Sequence, residues 1–411
     1  MNLLVLVWSY IKSRPLNTAI SITLLALGIS VITIMILFNN QLQQKMNDNT
    51  RGIDLVIGAK GSPMQLILCN IFHIDFPTGN IPLHEADEIS RTALIRTAIP
   101  LALGDSYQSF RIVGTSRSYA ELYGAQLSNG NWWDANLEVT IGSNVADRTK
   151  LKLKDKFASS HGLSEAGHAH EDHQYLVSGI MLPTGTILDD LILTSVESIW
   201  KVHDLPEETA GDDTAKIRSR LVPSAAATDT TKEITSVLVR YRSPLAAVQL
   251  PRLINSQTKF QAASPAFEIA RIFSILGVGV EIVRVFAYVL IAISGLSIFI
   301  ALYNSLKERA YDMAVMRSMG ASRSKLLISI LMEGGLLTFL GCAIGMGIGH
   351  VVLSLLPTFL KQTASTGING LIFYPEEWIL LVASLLLGLI CAAIPAMQVY
   401  RSDVSKILTG N

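Results

Sequence analysis

Two stretches of this chain concentrate side chains able to do chemistry. The first reads SSHGLSEAGHAHEDHQY and holds His161, His168, His170 and His173 beside Glu165, Glu171 and Asp172. Half of the chain's eight histidines fall within the thirteen residues 161–173. Neutral imidazole is a good ligand for borderline ions such as Zn, Cu or Ni. Three or four imidazoles suit a tetrahedral zinc site, with a carboxylate orienting a ring from behind. A short His-rich tract is a compositional signal for metal, so zinc is the candidate ion at these four histidines. The competing reading is a solvated polar loop between two strands. The spacing matches no HExxH helix, so metal catalysis is not suggested.

The second stretch, 306–333, reads LKERAYDMAVMRSMGASRSKLLISILME and carries Lys307, Arg309, Arg317, Arg323 and Lys325. Tyr311, Ala314, Val315 and Met319 recur at helical spacing and predict one buried side of a short helix. Gly320 suits a helix C′ position, and Ser322 the N-cap of the helix that follows. Arg323 and Lys325 then fall in that helix's first turn, where the dipole disfavours cations by about 0.3–1 kcal/mol each. An anionic membrane surface reverses the sign, at about 1 kcal/mol per basic residue. The stretch reads as a surface helix, a glycine hinge and a membrane-entering helix. An ordinary basic loop is the plain alternative.

The elements that must position these stretches follow from composition. Of 411 residues, 50% are hydrophobic and 16% charged, mean hydropathy is +0.40 and net charge is zero, which points to a membrane protein and away from a nucleic-acid partner. Cys69, Cys342 and Cys391 cannot build a disulfide framework, and no GxxxxGK[ST] phosphate cradle occurs. Runs at 16–38, 285–304, 326–356 and 378–400 reach the roughly 20 apolar residues a transmembrane helix needs. The first is longer than a signal h-region and reads as a retained helix. Basic residues at Lys12, Arg14, the 306–333 stretch, Arg401 and Lys406 outnumber Lys45, Arg51, Arg271, Arg284 and Lys361 opposite. The positive-inside rule therefore places both termini in the cytoplasm and the long interval after the first span outside.

The expected order is an interfacial helix (1–15), a first span (16–38), an extracytoplasmic domain (39–284), a second span (285–304) and a coupling segment (305–325). A third span (326–356), an outer loop (357–377), a fourth span (378–400) and a tail (401–411) complete it. Strands are expected at 53–57, 93–103, 108–114, 139–142, 175–182, 191–195 and 236–241, with a hairpin turn at 104–107. Short helices fall at 119–123, 144–148 and 244–255, which makes the domain α+β. The interval 204–233 reads as a flexible loop. Segments 39–51 and 266–283 extend the first two spans as helical stalks, an arrangement that can transmit movement or simply support the domain.

The last third resembles the FtsX-type permease domain of bacterial ABC transporters. The resemblance rests on Arg309, Asp312, Met313, Ala314, Arg317, Gly320, Ala321, Ser322 and Glu333, and on a tail running from Ile394 and Pro395 through Arg401, Asp403, Val404 and Leu408. Asp312 stands where Glu is commoner, and Val404 where Pro is usual. The outer region resembles a MacB-like periplasmic core through Gly130, 139–142, Val145, Ala146, Lys154, Asp155, 175–182 and 191–195. Together they imply a four-helix, type VII permease in the bacterial inner membrane. The resemblance implies a separate cytoplasmic ATPase that binds ATP-Mg and sits on the coupling segment, and a second permease copy, identical or not. A periplasmic substrate-carrying protein is a further candidate partner.

Small residues recur every fourth position at Gly341, Gly345 and Gly349 and at Ser384, Gly388, Ala392 and Ala396. Such faces let helices approach closely in lipid, within one bundle or across a dimer. Glu333, near the inner boundary, is expected to pair with a basic residue of the coupling segment rather than relay protons. The four spans carry no polar lane, which favours mechanical transmission over a hydrophilic pore. His73 and His84 are candidate distant metal ligands, His203 and His350 are unassigned, and no catalytic constellation follows from spacing. A non-transporting regulator of a periplasmic enzyme, or a signalling partner, is the alternative function.

Overall fold

The computed structural model describes residues 9, 12, 15–74, 76–160, 169–203, 232–359 and 368–401, with backbone alone at 169–172, 203, 310–312, 357–359 and 398–401. In chain order its elements begin α1 (Pro15–Thr50), β1 (Leu55–Ala59), α2 (Pro63–Asn70), β2 (Ile81–Pro82), α3 (Leu83–Ser90), β3 (Ile95–Tyr107), β4 (Phe110–Thr115) and α4 (Arg117–Leu122). They continue with β5 (Leu127–Gly130), β6 (Glu138–Ile141), α5 (Ser143–Thr149), β7 (Lys156–Ser160), β8 (Ala169–Met181), β9 (Leu191–Thr194), α6 (Val196–His203), β10 (Glu233–Ile234) and β11 (Ser236–Tyr241). The rest are α7 (Pro244–Gln257), β12 (Phe260–Ala263), α8 (Pro265–Glu308), α9 (Ala310–Ser318), α10 (Arg323–Phe359) and α11 (Pro375–Arg401). The chain forms two compact units, Met1–Gln43 with Ile275–Asn411, and Gln44–Ser274.

In the first unit, α1, α8, α10 and α11 are each long and apolar enough to cross a membrane. Lipid gives apolar side chains no reason to prefer one another, so close backbone approach must hold the helices together. Glycine provides it. A Cβ on Gly341 would meet Leu25, one on Gly345 the Ala26 carbonyl and Ile29, and one on Gly349 Thr33, all on α1. On α11, Gly388 faces Thr338 of α10, and Ala392 lies against Gly334 of α10. Ser384, on the same stripe, returns its hydroxyl to the Leu380 carbonyl. The two small-residue stripes therefore do not face each other: the α10 stripe seats α1, and the α11 stripe seats α10. Gly28 faces Ile291, and the Ser21 and Ser297 hydroxyls lie 3.0 Å apart, joining α1 to α8.

The second unit is built on a mixed ten-stranded sheet ordered β12-β1-β11-β3-β4-β9-β6-β8-β5, with β7 paired to β3 and β8. The β4–β9 and β6–β8 pairs are parallel and the remaining ladders antiparallel. Strands β4 and β9 are buried along their whole length, so both faces of the sheet are covered. One face packs Ile57, Ile112, Ile141, Ile192 and Val237 against Ala86, Val145, Ile199, Leu250 and Ile254 from α3, α5, α6 and α7. On the other, Leu66 of α2 closes onto Gly58, and the buried Ser236 hydroxyl donates to Asn70 Oδ1 at 2.7 Å.

Several expectations shift. The hairpin turn lies at Gln108–Ser109, not 104–107: both residues have positive φ (47° and 70°), and a bulge between Leu103 and Ser106 lengthens β3 past Gly104. α1 continues to Thr50 and α8 begins at Pro265, so each stalk and its span form one helix. Helix α8 runs on to Glu308, past position 304, while α10 reaches Phe359 and α11 begins at Pro375. The interfacial helix (1–15), the 204–233 loop and the tail lie wholly or mostly outside the described residues.

Two predictions follow from this packing. A methyl at Gly345 would sit 2.6 Å from the Ala26 carbonyl oxygen, whereas one at Gly347 meets nothing within 4 Å. Gly345→Ala should destabilise the bundle by roughly 1–3 kcal/mol and lower the melting midpoint in detergent, while Gly347→Ala leaves it unchanged or raised. In the sheet unit, His73 is buried at φ 54°, its Nε2 3.2 Å from the Tyr119 hydroxyl. Burial, and after it the Arg111 guanidinium, pushes its pKa down to about 3. The folded state thus keeps His73 neutral where the unfolded chain takes a proton, below about pH 6.5. Stability should fall as pH drops from about 6.5 toward 3, by up to ~1.4 kcal/mol per unit. His73→Asn, which tolerates the backbone, should flatten that slope in denaturant midpoints measured across the range; parallel curves for the two proteins would refute the assignment.

Candidate functional site

The basic stretch folds into a capped corner. α8 stops at Glu308 because Arg309 leaves helical geometry (φ −98°, ψ 9°), and α9 follows at once. α9 ends in a Schellman motif: the Ala321 N–H donates to the Met316 carbonyl and the Gly320 N–H to the Arg317 carbonyl, each at 3.0 Å. Gly320 has φ 97°, a conformation that disfavours any Cβ. The Ser322 hydroxyl then accepts from the Lys325 N–H at 3.3 Å and caps α10. Glycine and serine thus shape the turn between α9 and α10 through local hydrogen bonds.

The inward side of the corner is Met313 and Ala314, both buried. Met319 does not join them as the helical spacing predicts. It lies just past the end of α9 and is 82% exposed. Ser318, Gly320, Ser322, Arg323 and Lys325 are exposed with it, Ala321 and Arg317 half-buried. The corner therefore presents an apolar tip among cations. Behind it, Arg309 Nη1 lies 3.9 Å from Glu333 Oε2, with both side chains largely buried. The structure brings these two together as an ion pair, which ties the start of α9 to α10. Removing one charge of such a pair costs about 3–5 kcal/mol, because the other is left buried alone. Asp312 falls in α9, but its side chain lies outside the described residues.

At the far end of α1 the sheet unit grips the helix. The Tyr123 hydroxyl donates to the Asn49 carbonyl at 2.6 Å, Asn49 Oδ1 accepts from the Ile187 N–H at 2.9 Å, and Lys45 Nζ donates to the Gly185 carbonyl at 2.8 Å. Asp189 shapes the gripping loop by accepting from the Thr184 and Gly185 N–H groups at 2.8 Å each. Beside it, burial pushes Asp190 up to about 6 while the Asn144 amide hydrogen bond opposes the rise. These contacts went unseen in the sequence, where Asn49 and Tyr123 look like ordinary polar surface.

The histidine tract is only partly placed. His161 and His168 lie outside the described residues, and His170 has no described side chain. His170 and His173 belong to β8 rather than to a loop, in a stretch where the β7–β8 register slips. Among the described residues, no three His, Cys, Asp or Glu side chains stand close enough to share a metal ion.

With this geometry in hand, comparison with known proteins is direct. Residues 18–248 match the family model of the MacB-like periplasmic core domain, and residues 284–404 that of the FtsX-like permease C-terminal domain. No curated protein matches. Among solved structures, the periplasmic region of MacB from Actinobacillus actinomycetemcomitans is 15% identical, with 56% of this chain and 98% of that chain covered at a TM-score of 0.35. The extracellular domain of the noncanonic ABC-type transporter YknZ from Gram-positive bacteria is 10% identical, with 52% and 99% covered at 0.31. The chain belongs to the MacB/FtsX-type family of ABC transporter permeases, multi-pass inner-membrane components that carry a periplasmic domain.

Proposed function

We propose that this permease converts ATP hydrolysis in a separate cytoplasmic ATPase into movement of its periplasmic domain, and so exports or extracts a substrate. The observation that carries the reading is the pairing of β1 with β12, in register from Val56–Ala263 to Ala59–Phe260. β1 follows α1 after a short turn, and β12 precedes α8 with only Ser264 between. Two membrane-crossing helices thus end in adjacent hydrogen-bonded strands, so displacement of either is passed to the sheet as a whole. The exposed Met319 among cations suits docking on an ATPase surface, with ATP-Mg held by that partner and none of the catalysis in this chain. A second permease copy, identical or not, completes the pair, and both termini lie in the cytoplasm. The histidine tract, His161 to His173, links zinc to the periplasmic side as cargo or gate. The wild-type protein should take up more zinc than a variant with all four histidines changed to Ala, and equal uptake by both would remove this part of the reading.

The docking role is tested by charge reversal. Arg317→Glu should weaken co-purification of the ATPase by about tenfold or more, equivalent to ~1.4 kcal/mol per decade, and uncouple hydrolysis from movement. It should lower the melting midpoint less than Arg309→Glu does. Arg309→Glu should do the same and also destabilise the bundle, and pairing it with Glu333→Arg should restore the bundle but not the docking. Full ATPase binding by Arg317→Glu would argue against the corner as the docking site.

A further inference from the structure

An open groove of about 410 Å³ runs between α10 and α11. Ile328, Met332, Leu336 and Phe339 of α10 and Leu385 and Leu389 of α11 line it, over Gly335. No lining side chain carries a charge, a hydroxyl or an amide, so the groove suits hydrocarbon and not a polar solute. Eleven helical steps separate Ile328 from Phe339, a rise of about 16 Å at about 1.5 Å each. The hydrocarbon core of a bilayer is about 30 Å thick, so the groove is as long as one leaflet is deep. Gly335 opens it. A Cβ there would touch only Leu389, at 3.7 Å, whereas Gly334 is taken up against Ala392 and Leu302. Helices associate in lipid through small residues that let backbones approach. On α10 those at Gly334, Gly341, Gly345 and Gly349 already meet other helices of the bundle. The groove face instead sets bulky side chains around one open glycine, which admits a slender flexible chain but not another helix backbone.

One end of the groove carries charge. Lys325 precedes Ile328 by three residues and Met332 by seven, which puts it on the groove face of α10, while Arg323 falls on the opposite side. Lys325 is exposed, and no acid pairs with it among the described residues. Helical side chains lean toward the N-terminus, and a lysine stem lies along apolar surface with its ammonium in the polar layer. The ammonium is therefore carried past Ile328 to headgroup level. It sits in the first turn of α10, where the helix dipole opposes a cation and a nearby anion offsets that cost. Basic residues at the ends of inter-helix grooves favour anionic headgroups. We propose that the groove binds one anionic phospholipid from the leaflet at the basic end of α10. An acyl chain lies over Gly335 between α10 and α11, and the lipid phosphate rests on Lys325. The bound lipid bridges α10 and α11 beside the turn that follows α9. The site depends neither on an ATPase nor on which side of the membrane the termini lie.

Native mass spectrometry of the full chain tests the site. The protein in non-ionic detergent is titrated with phosphatidylglycerol or phosphatidylcholine of identical acyl chains. The wild type should retain one phosphatidylglycerol at about fivefold lower lipid concentration than phosphatidylcholine, the ratio expected for one basic residue at an anionic headgroup. Lys325→Gln should abolish that preference and leave phosphatidylcholine retention as it was. Lys307→Gln, which removes an equal charge from the exposed end of α8, should keep the preference. Gly335→Leu, whose side chain fills the groove, should lower retention of both lipids. Equal retention of the two lipids by the wild type overturns the proposal without any variant. So does a preference that survives Lys325→Gln, or one that Lys307→Gln removes equally. Unchanged lipid retention in a folded Gly335→Leu also overturns it, and a second chain released by that variant would give the groove to another copy of the permease. Should Gly335→Leu not fold, the wild type and the two lysine variants decide.

Discussion

The backbone ladder between β1 and β12 is the constraint on which the rest of this molecule depends. Its register runs from Val56–Ala263 to Ala59–Phe260 and closes the edge of the ten-stranded sheet nearest in sequence to both long helices. Asp54 extends the hold on α1, since its N–H donates to the Val239 carbonyl and its carboxylate accepts from the Tyr241 N–H at 2.7 Å. Asn49, Tyr123 and Ile187 then lock the last turn of α1 itself. Both long helices thus lead in sequence into strands at one edge of the sheet. Its interior is close-packed on both faces and does not deform gradually.

The membrane unit solves a different problem. Lipid does not drive apolar surfaces together, so the helices meet where glycine and serine permit close approach. Gly341, Gly345 and Gly349 seat α1, and Gly388 with Ala392 seats α10. Among the described residues, two largely buried acid–base pairs lie on these helices: Arg309 with Glu333, and His350 with Glu377.

Much of this was legible in the sequence, and the reasons for the remainder are specific. Span length and the second stalk follow from apolar run length, the first stalk from the absence of Gly and Pro in the polar stretch 39–51, and the Gly320 and Ser322 caps from local chemistry that needs no tertiary partner. The hairpin turn at Gln108–Ser109 was hidden because neither residue is a glycine, and both adopt positive φ only under the ladder's constraint. Helix α2 followed a glycine-rich turn and contains few periodic signals, and β12 is too short to stand out before the apolar start of α8. The small-residue stripes announced close packing but not their partners, since spacing carries no address. His350 and Glu377 lie twenty-seven residues apart on different helices, and only the fold brings a lone histidine and a first-turn glutamate into contact.

The central claim is that events at the Met319 corner reach the sheet through α1 and α8. The direct test is the distance between spin labels at Arg91 in the sheet unit and Ser324 at the corner, both exposed, in the assembled permease and ATPase with labelled chain diluted. Binding of a non-hydrolysable ATP analogue should shift the distance distribution by several ångströms, and Arg317→Glu should abolish the shift. An unchanged distribution in the wild type, with nucleotide binding demonstrated in the same sample, would contradict mechanical coupling.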